Sequence, residues 1–66
     1  MILKINGESR EVSDGMTLED LVEELEIKRA GIAVDVNREV VPRGSYGEKV
    51  LEEGDRVEII RMVGGG

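Results

Sequence analysis

A chain of 66 residues makes one domain with a small core: a domain near this size buries only about 60% of the surface its unfolded chain exposes, so a large internal active site is not expected. With no cysteine and no histidine, a disulfide, a thiolate nucleophile, a cysteine metal site and imidazole acid–base or ligand chemistry are all excluded. Fifteen acidic residues against nine basic ones, a formal net charge of −6, argue against nucleic acid, which needs clustered Lys and Arg; the charge leaves a basic protein partner or mere solubility as its two readings.

Met1 to Asn6 reads as a strand, because Met1, Leu3 and Ile5 alternate with Ile2, Lys4 and Asn6 at the period of two that a sheet requires. Asn6-Gly7 signals a tight hairpin, since both residues tolerate positive φ. A second, more polar strand is expected over Ser9 to Val12, and Asp14-Gly15 breaks it.

Thr17 is a helix N-cap candidate whose hydroxyl can accept from the N–H of Asp20. Leu18, Leu21, Val22 and Leu25 then recur at the spacing of one helical face. Glu19, Asp20, Glu23, Glu24 and Glu26 fill the remaining positions, a run that reads as a solvated face. Lys28 and Arg29 lie where a helix C-terminus favours cations, and Gly31 is expected to end the helix.

Ile32 to Val36 is a short apolar strand, Asn37-Arg38 a turn, and Val40-Val41 a further strand that Pro42 ends or edges. Gly44 to Gly47 reads as a loop or single turn around Tyr46, the one aromatic residue. After the turn Glu53-Gly54-Asp55, the last strand runs from Arg56 to Val63.

The order β-β-α-β-β-β implies an α+β fold, a mixed sheet of about five strands with one main helix packed on one face; if the first and last strands pair as central neighbours, the tail leaves the fold directly from the sheet. Residues 1–63 form this domain and 64–66 a flexible glycine tail. No run is apolar enough to span a bilayer and no signal-peptide pattern is present, so a cytoplasmic chain with no membrane partner, no bound metal or cofactor and a monomeric free state is expected. Glutamine, tryptophan and phenylalanine are missing while Glu, Lys and Arg abound, a lean toward a heat-tolerant source.

The chain closes on Val63-Gly64-Gly65-Gly66. Glycine carries no Cβ, so this segment can thread a channel too narrow for side chains and leaves the Gly66 carboxylate open to a reagent. The plainer reading is a frayed terminus or an expression remnant. Strict alternation in the last strand adds a second candidate. If Val57 and Ile59 face the helix, Glu58, Ile60 and Met62 face the other way, and Ile60 with Met62 forms an exposed apolar pair beside the tail, fit for docking. Coverage of Ile60 by a loop and fraying at Met62 is the alternative. Arg61 either contacts an acidic partner or interrupts an aggregation-prone strand.

Four stretches together resemble one family. They are Ile2-Leu3-Lys4-Ile5-Asn6-Gly7, then Asn37-Arg38-Glu39-Val40-Val41-Pro42-Arg43 with Tyr46 after it, then Glu53-Gly54-Asp55-Arg56-Val57-Glu58-Ile59-Ile60, and the closing Val63-Gly64-Gly65-Gly66. In order, spacing and terminal position they are similar to the ThiS family, sulfur carriers of thiamin biosynthesis with the ubiquitin-like β-grasp fold. The resemblance covers essentially the whole chain; the family's two closing glycines correspond to Gly65 and Gly66, and Gly64 is an extra small residue.

What the resemblance implies is a carrier rather than an enzyme. A ThiF-like adenylyltransferase, using ATP and magnesium, would join AMP to the Gly66 carboxylate. A persulfide from a cysteine desulfurase or a partner cysteine would displace AMP, leaving a thiocarboxylate that thiazole synthase accepts. Gly64 and Gly65, with Ile60 and Met62, would meet the partners. The rival implications are the small subunit of molybdopterin synthase, which shares this tail chemistry, a covalent modifier of lysine amines, and a non-covalent β-grasp interaction module.

Overall fold

The computed structural model describes residues 1–62. Strand β1, Ile2–Ile5, and strand β2, Glu8–Glu11, are joined by Asn6-Gly7 with φ of 50° and 84°. Two positive φ values in a two-residue loop match the right-handed twist of the flanking strands. The loop fixes the register at Ile5↔Glu8. The second strand therefore starts one residue earlier than the sequence pattern suggests, and Val12 lies beyond it, buried, its N–H donating to the Met1 carbonyl at 2.8 Å.

Helix α1, Leu18–Glu24, is anchored at its start more firmly than its length suggests. The Thr17 hydroxyl accepts from the Asp20 N–H and the Asp20 carboxylate accepts from the Thr17 N–H, both at 3.1 Å, a reciprocal capping box. The N–H groups of Leu18 and Glu19 donate to the carbonyls of Lys49 and Tyr46 at 2.8 and 3.0 Å, so the first-turn donors that a helix leaves unpaired are met by a cap and a neighbouring loop. Leu18, Leu21 and Val22 are buried, each contributing about 1.5–3 kcal/mol.

The helix does not reach Gly31. It closes at Leu25 and Glu26, with Glu26 at φ 57°. The N–H of Glu26 donates to the Glu23 carbonyl and that of Ile27 to the Val22 carbonyl, a Schellman closure with glutamate where glycine is usual. Lys28 and Arg29 consequently lie outside the helix. Arg29 instead pairs with Glu19 and stands over the Tyr46 ring, 5.6 Å from its centroid.

Strand β3, Ile32–Val36, turns through Asn37-Arg38, φ 53° and 70°, into strand β4, Glu39–Val41. After Pro42 a single 3-10 turn, Arg43–Ser45, delivers Tyr46 into the core at 1% exposure. Strand β5 is Arg56–Arg61, shorter than the expected Arg56 to Val63; Met62 follows it and Val63 is outside the described residues.

Among the described residues the sheet has five strands in the order β2-β1-β5-β3-β4. β1 and β5, the first and last strands, run parallel side by side, and the other pairs are antiparallel. Leu3, Leu18, Leu21, Val34, Tyr46, Leu51 and Val57 are fully buried between sheet and helix, with Leu25 and Ile59 packed partly against them. This mixed sheet with one helix across one face is the ubiquitin-like β-grasp fold.

Candidate functional site

The site is built on the outer face of β5, the face turned away from α1. Val57 is buried toward the helix and Ile59 is half-buried there, so Arg56, Glu58 and Ile60 face outward. Cross-strand register adds neighbours that the sequence does not reveal. Ala33 lies opposite Ile60, Asp35 opposite Glu58, Val40 opposite Asp35, and Lys4 beside Arg56.

The outer face is thus banded across the strands. Lys4 and Arg56 make a basic row, Glu58 and Asp35 an acidic one, and Ile60 with Ala33 an apolar one. Like charges directly opposite each other destabilise a sheet, whereas neighbouring rows of opposite sign compensate along the strand. Ile60 and Met62 are 53% and 52% exposed. They sit at the end of the strand that leads into Val63. Met62 is tied to the residue preceding β3, its N–H donating to the Gly31 carbonyl at 2.8 Å. Gly64, Gly65 and Gly66 lie outside the described residues.

Chemically this candidate surface offers charged and apolar side chains. The chain holds no cysteine or histidine, and among the described residues no group of three or more acidic side chains is placed to hold a metal ion. No described helix is long and apolar enough to cross a membrane. The Met1 ammonium lies away from this face. It donates to Asp14 Oδ1 at 2.9 Å and to the Val12 carbonyl at 2.8 Å. The hydrogen bond to Asp14 raises its pKa above the ordinary 8.0, partial desolvation opposes this, and the charges of Asp14, Glu53 and Glu11 add to it.

A ThiS family model matches residues 3–66. The chain belongs to the ThiS family. It is 29% identical to the thiamine biosynthesis protein ThiS of Geobacter metallireducens, whose crystal structure superposes with a TM-score of 0.87, each chain covered in full. The sulfur carrier protein ThiS of Escherichia coli is 27% identical over 66 residues, with 100% of both chains covered. A thiazole synthase of Paramagnetospirillum magneticum is 44% identical over 66 residues, but the chain spans only 20% of that protein's length.

Sequence reasoning names Ile60 and Met62. It does not name Ala33, Asp35 or Val40 as their surroundings, because register is set by the turns and by long-range pairing rather than by local pattern.

Proposed function

We propose that this chain is a sulfur carrier for the thiazole step of thiamin biosynthesis. The observation that carries the reading is a family match running through to residue 66, so that the closing glycines are part of what the chain shares with the family. A relative named thiazole synthase that contains a stretch like this one supports thiazole synthase as the acceptor.

A carboxylate at neutral pH repels nucleophiles, and the chain offers no side chain to overcome this. Activation therefore falls to a partner. A ThiF-like adenylyltransferase, with ATP and magnesium, forms a mixed anhydride between the Gly66 carboxylate and AMP, releasing pyrophosphate. A persulfide sulfur from a cysteine desulfurase or a partner cysteine attacks the acyl carbon and AMP leaves. Two-electron reduction of the acyl disulfide by a thiol then frees the thiocarboxylate. The protein supplies two things: a carboxylate whose neighbours, Gly64 and Gly65, carry no side chain, and the exposed pair Ile60 and Met62 for docking.

The test is intact-mass spectrometry after incubation with the adenylyltransferase, ATP, magnesium and a sulfur donor. The protein gains the mass difference between sulfur and oxygen, and fragmentation places it at Gly66. A gain at an internal residue, or none, rejects the carrier reading.

A further inference from the structure

β1 stops short of β5. The two are paired at only two positions, Lys4↔Arg56 and Ile5↔Val57, because Asn6-Gly7 turns the chain away into β2, while β5 continues to Arg61. Peptide groups alternate in direction along a strand. Those of Arg56 and Met62 face β3, bonded at 2.8 Å to the Asn37 N–H and the Gly31 carbonyl. Those of Val57, Ile59 and Arg61 face the lane of β1. There the Val57 carbonyl accepts from the Asn6 N–H at 2.9 Å, and the Ile59 N–H donates to Asn6 Oδ1 at 2.8 Å.

Beyond Asn6 no described residue continues that lane. The Ile59 carbonyl and the Arg61 N–H point into it with no strand opposite. The lane is open on both faces of the sheet. On the outer face lies a hollow lined by Lys4, Asn6, Gly7, Arg56 and Glu58. On the helix face lies a groove with Ile5, Leu25, Ile27 and Ile59 in its wall and Arg10 and Arg61 at its rim. Asn6, Glu8 and Ser9 complete the lining, so the groove has an apolar wall and a polar rim; in a chain of net charge −6, the two arginines there outnumber the one carboxylate, Glu8.

We propose that this lane receives an extended segment of the activating adenylyltransferase, added collinear with β1. Unpaired strand N–H and C=O groups are a template for such an addition. The segment's backbone takes the Ile59 carbonyl and the Arg61 N–H. One of its side chains is apolar and meets Leu25, Ile27 and Ile59; another is acidic and meets Arg10 and Arg61, whose forked donors match a carboxylate. The identity of the partner rests on the functional reading above; the lane itself rests on register. Pairing here would clamp the strand from which Val63 continues, and so set the direction in which the carboxylate is presented.

Amide hydrogen exchange, read by NMR on labelled protein alone and with the adenylyltransferase, tests this. In the free protein the N–H groups of Ile60 and Met62 exchange slowly and that of Arg61 fast. In the complex, exchange at Arg61 slows by at least about tenfold, as for an amide drawn into a stable ladder. Arg10→Glu, an exposed change on β2, weakens binding by about tenfold, equivalent to about 1.4 kcal/mol. Slow exchange at Arg61 in the free protein overturns the proposal, as does a complex in which Arg61 stays fast. Unchanged affinity in Arg10→Glu overturns the acidic contact. A complex without protection at Arg61 leaves the carrier reading intact, whereas failure to bind the adenylyltransferase at all rejects both.

Discussion

The side-chain oxygen of Asn6 accepts the backbone N–H of Ile59 at 2.8 Å, carrying the β1–β5 contact one step past the point where β1 turns away. Asn37 does the same from the other flank. Its Oδ1 accepts from the Arg56 N–H and its Nδ2 donates to Asp55 Oδ1, both at 3.0 Å. The first residue of each hairpin turn thus grips β5, the strand that carries Ile60 and leads to the tail. Asn6→Gly tolerates the positive φ and removes the side-chain bond, while adding freedom to the unfolded chain. The expected loss is about 0.5–1.5 kcal/mol, read as a lower urea midpoint at unchanged slope. Asn6→Ala should lose more, because alanine is strained at φ 50°. Parent-like stability of Asn6→Gly would show that the bond contributes nothing.

Besides the two turn asparagines, Asn6 and Asn37, two further side chains stand in the left-handed region where glycine is preferred: Glu26 at the helix C-terminus, φ 57°, and Arg38 in the second hairpin turn, φ 70°. Neither makes a hydrogen bond through its side chain among the described residues. Glu26→Gly and Arg38→Gly should each relieve about 1 kcal/mol of backbone strain, partly offset by the greater freedom of glycine in the unfolded chain. Because the sites lie on different elements, the double variant should be additive within about 0.5 kcal/mol. Thermal melts of the two single variants and the double decide it; a lowered melting temperature in either single variant would count against the strain argument there.

The strands and the capped start of α1 were legible because each has a local cause: alternation, an Asn-Gly turn, Thr17 three residues before Asp20. The end of α1 was not. Gly31 looked like the stop, yet the chain closes the helix at Glu26, since the Schellman bonds and the contact of Ile27 with the core outweigh the strain of a non-glycine cap. The loop or single turn expected around Tyr46 is found as a turn, but the sequence does not show that its ring is buried. Its burial depends on the 3-10 turn after Pro42 and on Arg29 standing over its ring, a pairing across 17 positions of sequence that no local window holds. For the same reason Ile60 and Met62 were legible as an outward pair from alternation alone, whereas the bands of charge beside them required the β3–β5 register.

The Met1 ammonium makes stability depend on alkaline pH. Its pKa in the folded chain is raised, chiefly by the hydrogen bond to Asp14. A raised folded value means that the charged form is favoured by folding. The stabilisation is therefore fully present below the unfolded value of 8.0 and is lost as pH rises through the folded value. Urea midpoints should fall from pH 8 upward by more in the parent than in Asp14→Asn, which lacks the partner charge. Parallel curves for the two proteins would assign the alkaline loss to other groups.

A final pair of variants separates folding from carriage. The core is assembled from residues between Leu3 and Val57, so Gly65→Val is expected to shift stability by less than about 0.5 kcal/mol. Thiocarboxylate formation should nevertheless collapse, because a branched side chain one residue from the reacting carbonyl obstructs a channel shaped for glycine. Leu21→Ala is expected to do the opposite. Leu21 is wholly buried, and its truncation costs about 2–5 kcal/mol through lost transfer energy and the cavity left behind. The molecules that remain folded keep the outer face of β5 and the closing glycines, and should be activated normally once the folded fraction is accounted for. Thermal melts and an adenylation assay on both variants make the comparison. If Gly65→Val is activated at the parent rate, the glycines have no part in presenting the carboxylate, and a non-covalent interaction module becomes the better description.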